Sequence, residues 1–348
     1  MEVMTTVEPG VWDAVLKEVG TYDYYNLSAF HRLWELRGHG KAEMLVYREG
    51  GHTVLYPMLV RNIDIPPVSH EGLKDATCVP GLVGPLSSHT VPEDIRQRFI
   101  QALQSYFEES RIIAAFSRLN FLFDQQPLFD GYGETVYQWR EVSLDLTISE
   151  EEQFARYRRD HRKTVRKLTE AGFTCEEVGP EFLDEFIRVY YDTMDRVGAE
   201  SAYYFDRAYF DCLFNEMADV THMFACWDGD RAAAVGLYFE CSGIVHAYLG
   251  GTDPDYIQRS PLKLLNDSVR RWAVARGDRI YHLGGGRDSL YEQKMAYGGR
   301  SHEYFTWRHV VDPGAYQDVC RRVVESAGVE PDDSYFPKYR HPLLRGDS

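Results

Sequence analysis

Hydrophobic and polar positions along this chain alternate in two ways, and the same order of patterns runs twice. Residues 42–47 (AEMLVY) and 52–61 (HTVLYPMLVR) are apolar-rich runs on either side of Glu49-Gly50-Gly51. Apolar runs joined by a glycine-containing turn predict a β-hairpin. In the second half, 222–227 (HMFACW) turns at Asp228-Gly229-Asp230 into 232–241 (AAAVGLYFEC). That run turns at Ser242-Gly243 into 244–250 (IVHAYLG). Helical sequence precedes each set of strands, at 26–36 in the first half and at 181–196 and 205–217 in the second. It also follows each, at 92–108 and 261–276. The last of these spaces Leu262, Leu265, Val269, Trp272 and Ala273 by three or four residues. Ser260 is its expected N-cap, Pro261 its first helical residue and Gly277 its stop. A short strand at 280–283 closes the second half, as 141–146 closes the first. Each half therefore reads helix, antiparallel strands, helix, strand. The expected fold class is α+β. Two domains, 1–148 and 149–348, each hold a mixed, mostly antiparallel sheet flanked by helices.

Candidate chemistry concentrates at 280–299 (IYHLGGGRDSLYEQKMAYGG). The strand runs into Gly284, Gly285 and Gly286, and then Arg287 and Asp288. A strand ending in glycines lets another group approach its backbone closely. Lys294 follows and can place a positive charge beside that gap, which suits a reacting carbonyl or a phosphate. A second concentration is basic. Residues 154–167 (FARYRRDHRKTVRK) put Phe154, Tyr157, His161 and Val165 on one stripe of an expected single amphipathic helix. Arg158, Arg162 and Arg166 recur every four residues beside Arg159 and Lys163. Such a face is either solvated or a seat for a polyanion.

Composition narrows the classes. The 348 residues are 44% hydrophobic and 26% charged, as in ordinary globular domains, and the length fits two of them. The net charge of -16 opposes non-specific nucleic-acid binding and DNA as a partner, but not a local basic track. No apolar run approaches the ~18 residues of a membrane span. The first twenty residues lack the basic and apolar regions of a secretory signal, so a cytoplasmic location is expected. Six scattered cysteines and twelve histidines show no metal-ligand spacing, and no metal or bound cofactor is expected.

Tyr157 to Gly172 (YRRDHRKTVRKLTEAG) resembles the basic-helix signature of the FemABX family, the aminoacyl-tRNA-dependent peptidyltransferases. So do HAYLGG at 246–251, the Ser260-Pro261 helix start and the strand-glycine-Lys294 segment. Residues 75–85 (DATCVPGLVGP) resemble an Asp and Gly/Pro stretch in the same relatives. The resemblance implies two tandem GNAT-type folds. It also implies transfer of an aminoacyl group from tRNA, as co-substrate, to the amine of a peptide or small molecule, in cell-wall precursor or natural-product biosynthesis. Lys294 matches a family lysine that stabilises the oxyanion and the leaving ribose. Tyr248, on the HAYLGG strand, is the second catalytic candidate. Arg196 matches an arginine on the acceptor side. Gly284, Gly285, Gly286, Arg287, Asp288 and Tyr256 complete the expected substrate-binding set. Arg158, Arg159, Arg162, Lys163 and Arg166 are the expected tRNA contacts. One departure stands out: where cell-wall members carry an acid after the last strand of the first domain, 116–121 (FSRLNF) offers Arg118 and Asn120.

Two alternatives differ in chemistry. Acyl-CoA-dependent transfer, the common use of the GNAT fold, needs a glycine-rich loop whose N–H groups hold a pyrophosphate. The corresponding loop, 256–262 (YIQRSPL), has no glycine, and Pro261 removes a donor. A non-catalytic binding protein would have no need of Lys294 and its glycines.

Overall fold

The computed structural model describes residues 1–69, 71–286 and 288–344. In chain order they begin with β1 (Glu2–Thr5), α1 (Pro9–Val19), α2 (Ser28–Leu36) and the hairpin β2 (Lys41–Glu49) and β3 (His52–Asn62). Next come β4 (Lys74–Thr77), β5 (Leu86–Ser87), α3 (Glu93–Glu109) and β6 (Ile112–Arg118). β7 (Glu134–Asp145) leads to α4 (Glu150–Arg156), α5 (Arg159–Glu170), β8 (Thr174–Val178), α6 (Leu183–Val197) and α7 (Arg207–Glu216). The meander β9 (Thr221–Asp228), β10 (Arg231–Cys241) and β11 (Ile244–Thr252) precedes α8 (Leu262–Arg276), β12 (Ile280–Gly284) and α9 (Asp288–Met295). β13 (Arg300–Val310) and α10 (Pro313–Ala327) complete the regular elements. The chain is α+β, and the hairpins and long helices lie where the hydrophobic pattern puts them.

Two compact units result: Met1–Gln138 with the segment from Tyr304 onward, and Trp139–Glu303. The first unit's sheet runs β1-β2-β3-β4-β6-β13, parallel only between β4 and β6. The second runs β8-β9-β10-β11-β12-β7, parallel only between β11 and β12. The two orders match strand for strand. The sixth strand of each, however, comes from the other half of the sequence. β7 pairs with β12, and Thr306–Val310 of β13 pairs with β6. The expected division after residue 148 therefore differs from the observed one. Residues 139–148 group with the second unit, and the chain from Tyr304 returns to the first. Periodicity finds strands but does not say which neighbour a strand pairs with.

Each sheet is covered by helices with one apolar stripe. α3 buries Ile95, Phe99, Leu103 and Phe107, four residues apart, the last three in one cluster with Tyr56, Met58 and Trp307. α8 buries Leu264, Leu265, Val269 and Ala273 against Phe224, Tyr238 and Tyr281, and stops at Gly277 with φ 88°. Asp75, fully buried on β4, ties the C-terminal residues to the first unit: Arg61 Nε donates to it at 2.6 Å, Tyr339 Oη at 3.1 Å, and Arg340 Nε also bonds it.

Two local expectations are revised. The basic segment is two helices, broken at Tyr157-Arg158, both in extended geometry. Tyr157 is pinned there, its hydroxyl 3.0 Å from Asp267 Oδ1 and 3.1 Å from Arg270 Nε. Arg158 N–H donates to Ala296 O at 2.8 Å instead of continuing a helix. Ser260 is not a side-chain N-cap. It ends the turn Pro254–Arg259 in left-handed geometry, with its N–H on Tyr256 O and Ile257 O, and α8 starts at Leu262.

Candidate active site

β12 lies between two strands of the second unit. His282 sits beside His246 of β11 and Ser143 of β7. Tyr281 and Leu283 face the core under α8, so His282 points to the other face, where it is buried. The strand ends because Gly284 takes φ 80° and Gly286 φ 147°, values that side-chain-bearing residues rarely adopt. α9 then returns toward the glycines. Tyr291 anchors it, with its hydroxyl 2.8 Å from Ser301 Oγ and Arg140 4.2 Å over its ring. One turn on, Lys294 Nζ donates to Gly285 O at 2.5 Å.

The glycines make room for the chain's own side chains. A Cβ on Gly284 would stand 3.0 Å from Lys294 Nζ. One on Gly285 would stand 2.4 Å from Glu141 Oε1 and 2.7 Å from Trp139 Nε1, and one on Gly286 2.7 Å from Leu290 Cδ2. Glu141 is the residue that sequence reasoning missed. Trp139, Glu141 and Ser143 alternate along β7, opposite to the core residues Val142 and Leu144. Trp139 Nε1 donates to Glu141 Oε1 at 2.7 Å, and His282 Nε2 lies 3.1 Å from Oε2. His282 Nδ1 lies 2.9 Å from His246 Nδ1, and His302 Nε2 is 2.8 Å from Ser143 Oγ.

Burial governs the charges here. It pulls Lys294 down to about 8, with Glu141 opposing the shift. Burial alone would raise Glu141, but bonds from His282 and Trp139 and the charge of Lys294 hold its carboxyl below the usual range. Burial and the neighbouring His282 keep His246 neutral, far below the ordinary imidazole value. A lysine that can be either ammonium or amine near neutral pH, beside an ionised carboxylate, suits charge stabilisation and proton transfer. Among the described residues no group of three or more His, Cys, Asp or Glu could hold a metal.

Residues 155–322 match the family model of the GNAT acetyltransferase domain. The solved structure of FemX superposes on 91% of this chain and 99% of its own, with a TM-score of 0.70 at 13% identity. The chain has a FemX-like, GNAT-type fold. The C-terminal domain of a putative lysylphosphatidylglycerol synthetase from Agrobacterium fabrum covers 89% of this chain and 94% of its own, with a TM-score of 0.54 at 14% identity. L-PGS from Bacillus licheniformis covers 86% and 91%, with a TM-score of 0.55 at 14% identity. No curated protein sequence matches the chain.

Within this FemX-like fold the other candidates are spread out. Tyr248 is the extra residue of a bulge in β11: Leu237 opposes Leu249 and Tyr238 opposes Ala247. Its hydroxyl bonds that of Tyr209 on α7, and no hydrogen bond joins it to Lys294 among the described residues. Arg196, in the last turn of α6, is exposed. Asp288 opens α9 and is also exposed, while Arg287 lies outside the described residues. Tyr256 is buried beneath Arg231 and Arg259, whose guanidinium carbons lie 5.3 and 5.7 Å from its ring centroid. On the basic helices, Arg158 is paired with Asp160, and Arg166 lies 5.6 Å over the Phe154 ring. Arg159 and Lys163 are exposed. Arg162 turns inward, donating to Ala155 O at 2.6 Å and to Tyr157 O, so it braces the helix break. In the first unit, Asn120 donates to Asp23 Oδ2 at 2.7 Å, so a carboxyl does stand beside it.

Proposed function

We propose that the protein is an acyltransferase that moves an aminoacyl group from tRNA to the amine of a peptide or small molecule. The observation that carries this reading is Lys294, held on Gly285 O beside the buried Glu141. An amine attacking an ester needs positive charge aimed at the developing oxyanion and the departing ribose oxygen. A half-buried ammonium supplies both. The FemX-like fold and the family that the motifs resemble support tRNA as the donor. The exposed Arg159 and Lys163 offer charge to an RNA backbone. The matched acetyltransferase family keeps CoA in view as a second donor. The loop before α8 weighs against it. Its N–H groups are taken internally: Tyr256 N by Asp253 O, Ser260 N by Tyr256 O and Ile257 O, and Lys263 N by Ser260 O. A pyrophosphate would find few free donors there.

Single-turnover mixing with aminoacyl-tRNA or with acetyl-CoA, in the presence of a panel of amines, tests the reading. Amide formation from aminoacyl-tRNA alone is expected. Turnover of acetyl-CoA only would replace the donor, and turnover of neither would remove the enzymatic reading.

A further inference from the structure

The chain of polar groups behind Lys294 is more than the fold requires. An ionised carboxylate in the interior is disfavoured by several kcal/mol unless it is paired and hydrogen-bonded, and an apolar residue would pack there more simply. Instead both oxygens of Glu141 are served: Oε1 by the Trp139 indole N–H and Oε2 by His282 Nε2. The two imidazoles meet Nδ1 to Nδ1, so one must donate and the other accept. With the proton on His246 Nδ1, His282 accepts there and donates from Nε2 to Glu141. Lys294 Nζ and Glu141 Oε2 both approach Gly284, 3.0 and 3.9 Å from the place of its missing Cβ.

We propose that Glu141, linked through His282 to His246, is a positioning residue that keeps Lys294 charged and exchanges the proton of the reaction with it. The chemical part rests on the acyl-transfer reading; the electrostatic part needs no substrate. In the step, the amine nitrogen bonds to the carbonyl carbon and the carbon–oxygen bond to the ribose breaks. The Lys294 ammonium protonates the departing oxygen. The neutral Lys294 then takes up the proton shed by the attacking amine and shares it with the Glu141–His282 pair, which restores the ammonium. The titratable groups that act on this pair are His246 on β11, His302 on β13 and Lys294 on α9.

Two measurements on the full chain test the proposal. Competitive acetylation with acetic anhydride, read by peptide mass spectrometry across pH, gives the titration midpoint of Lys294. Glu141→Gln is expected to lower that midpoint by about one unit or more, since an opposing charge nearby shifts a pKa by ~1–3 units. Glu141→Asp is expected to restore part of it. A midpoint unmoved in Glu141→Gln overturns the proposal. Single-turnover transfer from aminoacyl-tRNA is expected to slow ~10²-fold or more in Glu141→Gln, the usual scale for a lost proton-transfer partner. If the wild type transfers and Glu141→Gln transfers as fast, the inference falls and the function stands. If the midpoint shifts but the wild type transfers from no donor, the function falls and the electrostatic link stands. Should circular dichroism show Glu141→Gln unfolded, His282→Asn keeps the carboxylate and breaks the chain. It should slow transfer with the Lys294 midpoint still near 8, and undiminished transfer overturns the proposal.

Discussion

At the residue scale the site turns on one ammonium. Lys294→Ala should slow amide formation by ~10²–10³, the typical effect of removing one preorganised donor from an enclosed site. Lys294→Arg should recover little, because a planar fork does not fit the pocket of a point charge. A single-turnover assay with folded variants checks both. Burial holds Lys294 at about 8, so its charged form is lost as pH rises through that value. The rate of the chemical step should therefore fall on the alkaline side of about pH 8, and Lys294→Ala should lack that limb. Asp23 offers a stability counterpart. Burial raises its carboxyl from 3.8 to about 8, against the opposing bonds from Tyr25 N–H and Asn120. Between those values the folded state holds a proton that the unfolded state has lost, so this group's contribution to stability declines as pH rises. Asp23→Asn should gain on the wild type as pH goes from 5 to 8.5, as read from urea midpoints at the two ends.

At the scale of elements, the hairpins, α3, α6, α8 and the strand at 280 were legible because each has one clean period, and all but α3 also have a glycine turn or stop. The site was legible only in part. Lys294 and the glycines stood out, but the glycines were read as room for a ligand, whereas Glu141, Trp139 and Leu290 fill that room. Glu141 was hidden because 139–145 reads as an ordinary half-buried strand, and nothing local reveals that β12 is its neighbour. His246 and His282 each sat in a quoted motif, yet only their parallel register brings them together. The basic segment misled in another way. Its apolar spacing is unbroken through Tyr157, and the break comes from distant partners on α8. Two predictions separate its charges. Arg159→Glu with Lys163→Glu should weaken tRNA binding and flatten its salt dependence while leaving thermal unfolding unchanged, since each neutralised phosphate releases counterions. Arg162→Glu should lower the melting temperature as well, because it removes donors from Ala155 O and Tyr157 O and brings a negative charge to them.

At the scale of the whole molecule, two sheets of matching order each borrow a strand from the other half of the sequence. A fragment beginning at residue 149 would lack β7, and with it Glu141, while carrying β13 without its partner β6. Such a fragment should be insoluble or fail to unfold cooperatively in a denaturant titration, although the repeat in the sequence invites a cut there. Ending the chain at Glu303 should likewise destabilise the first unit. It would remove the strand paired with β6, the Trp307 ring at its core, and the Tyr339 and Arg340 bonds to Asp75. Limited proteolysis of the product should then digest residues before 138 first.

The exchanged strand also sets a schedule for synthesis. On the ribosome β6 emerges early, with one edge open until its partner in β13 is made. Roughly 190 residues lie between them, which at ~5–20 residues per second is on the order of 10–40 s of translation. Throughout that interval an apolar edge with unpaired N–H and C=O groups faces the crowded cell. The nascent first half should therefore be a client for chaperones, and the last segment translated is the one that releases it.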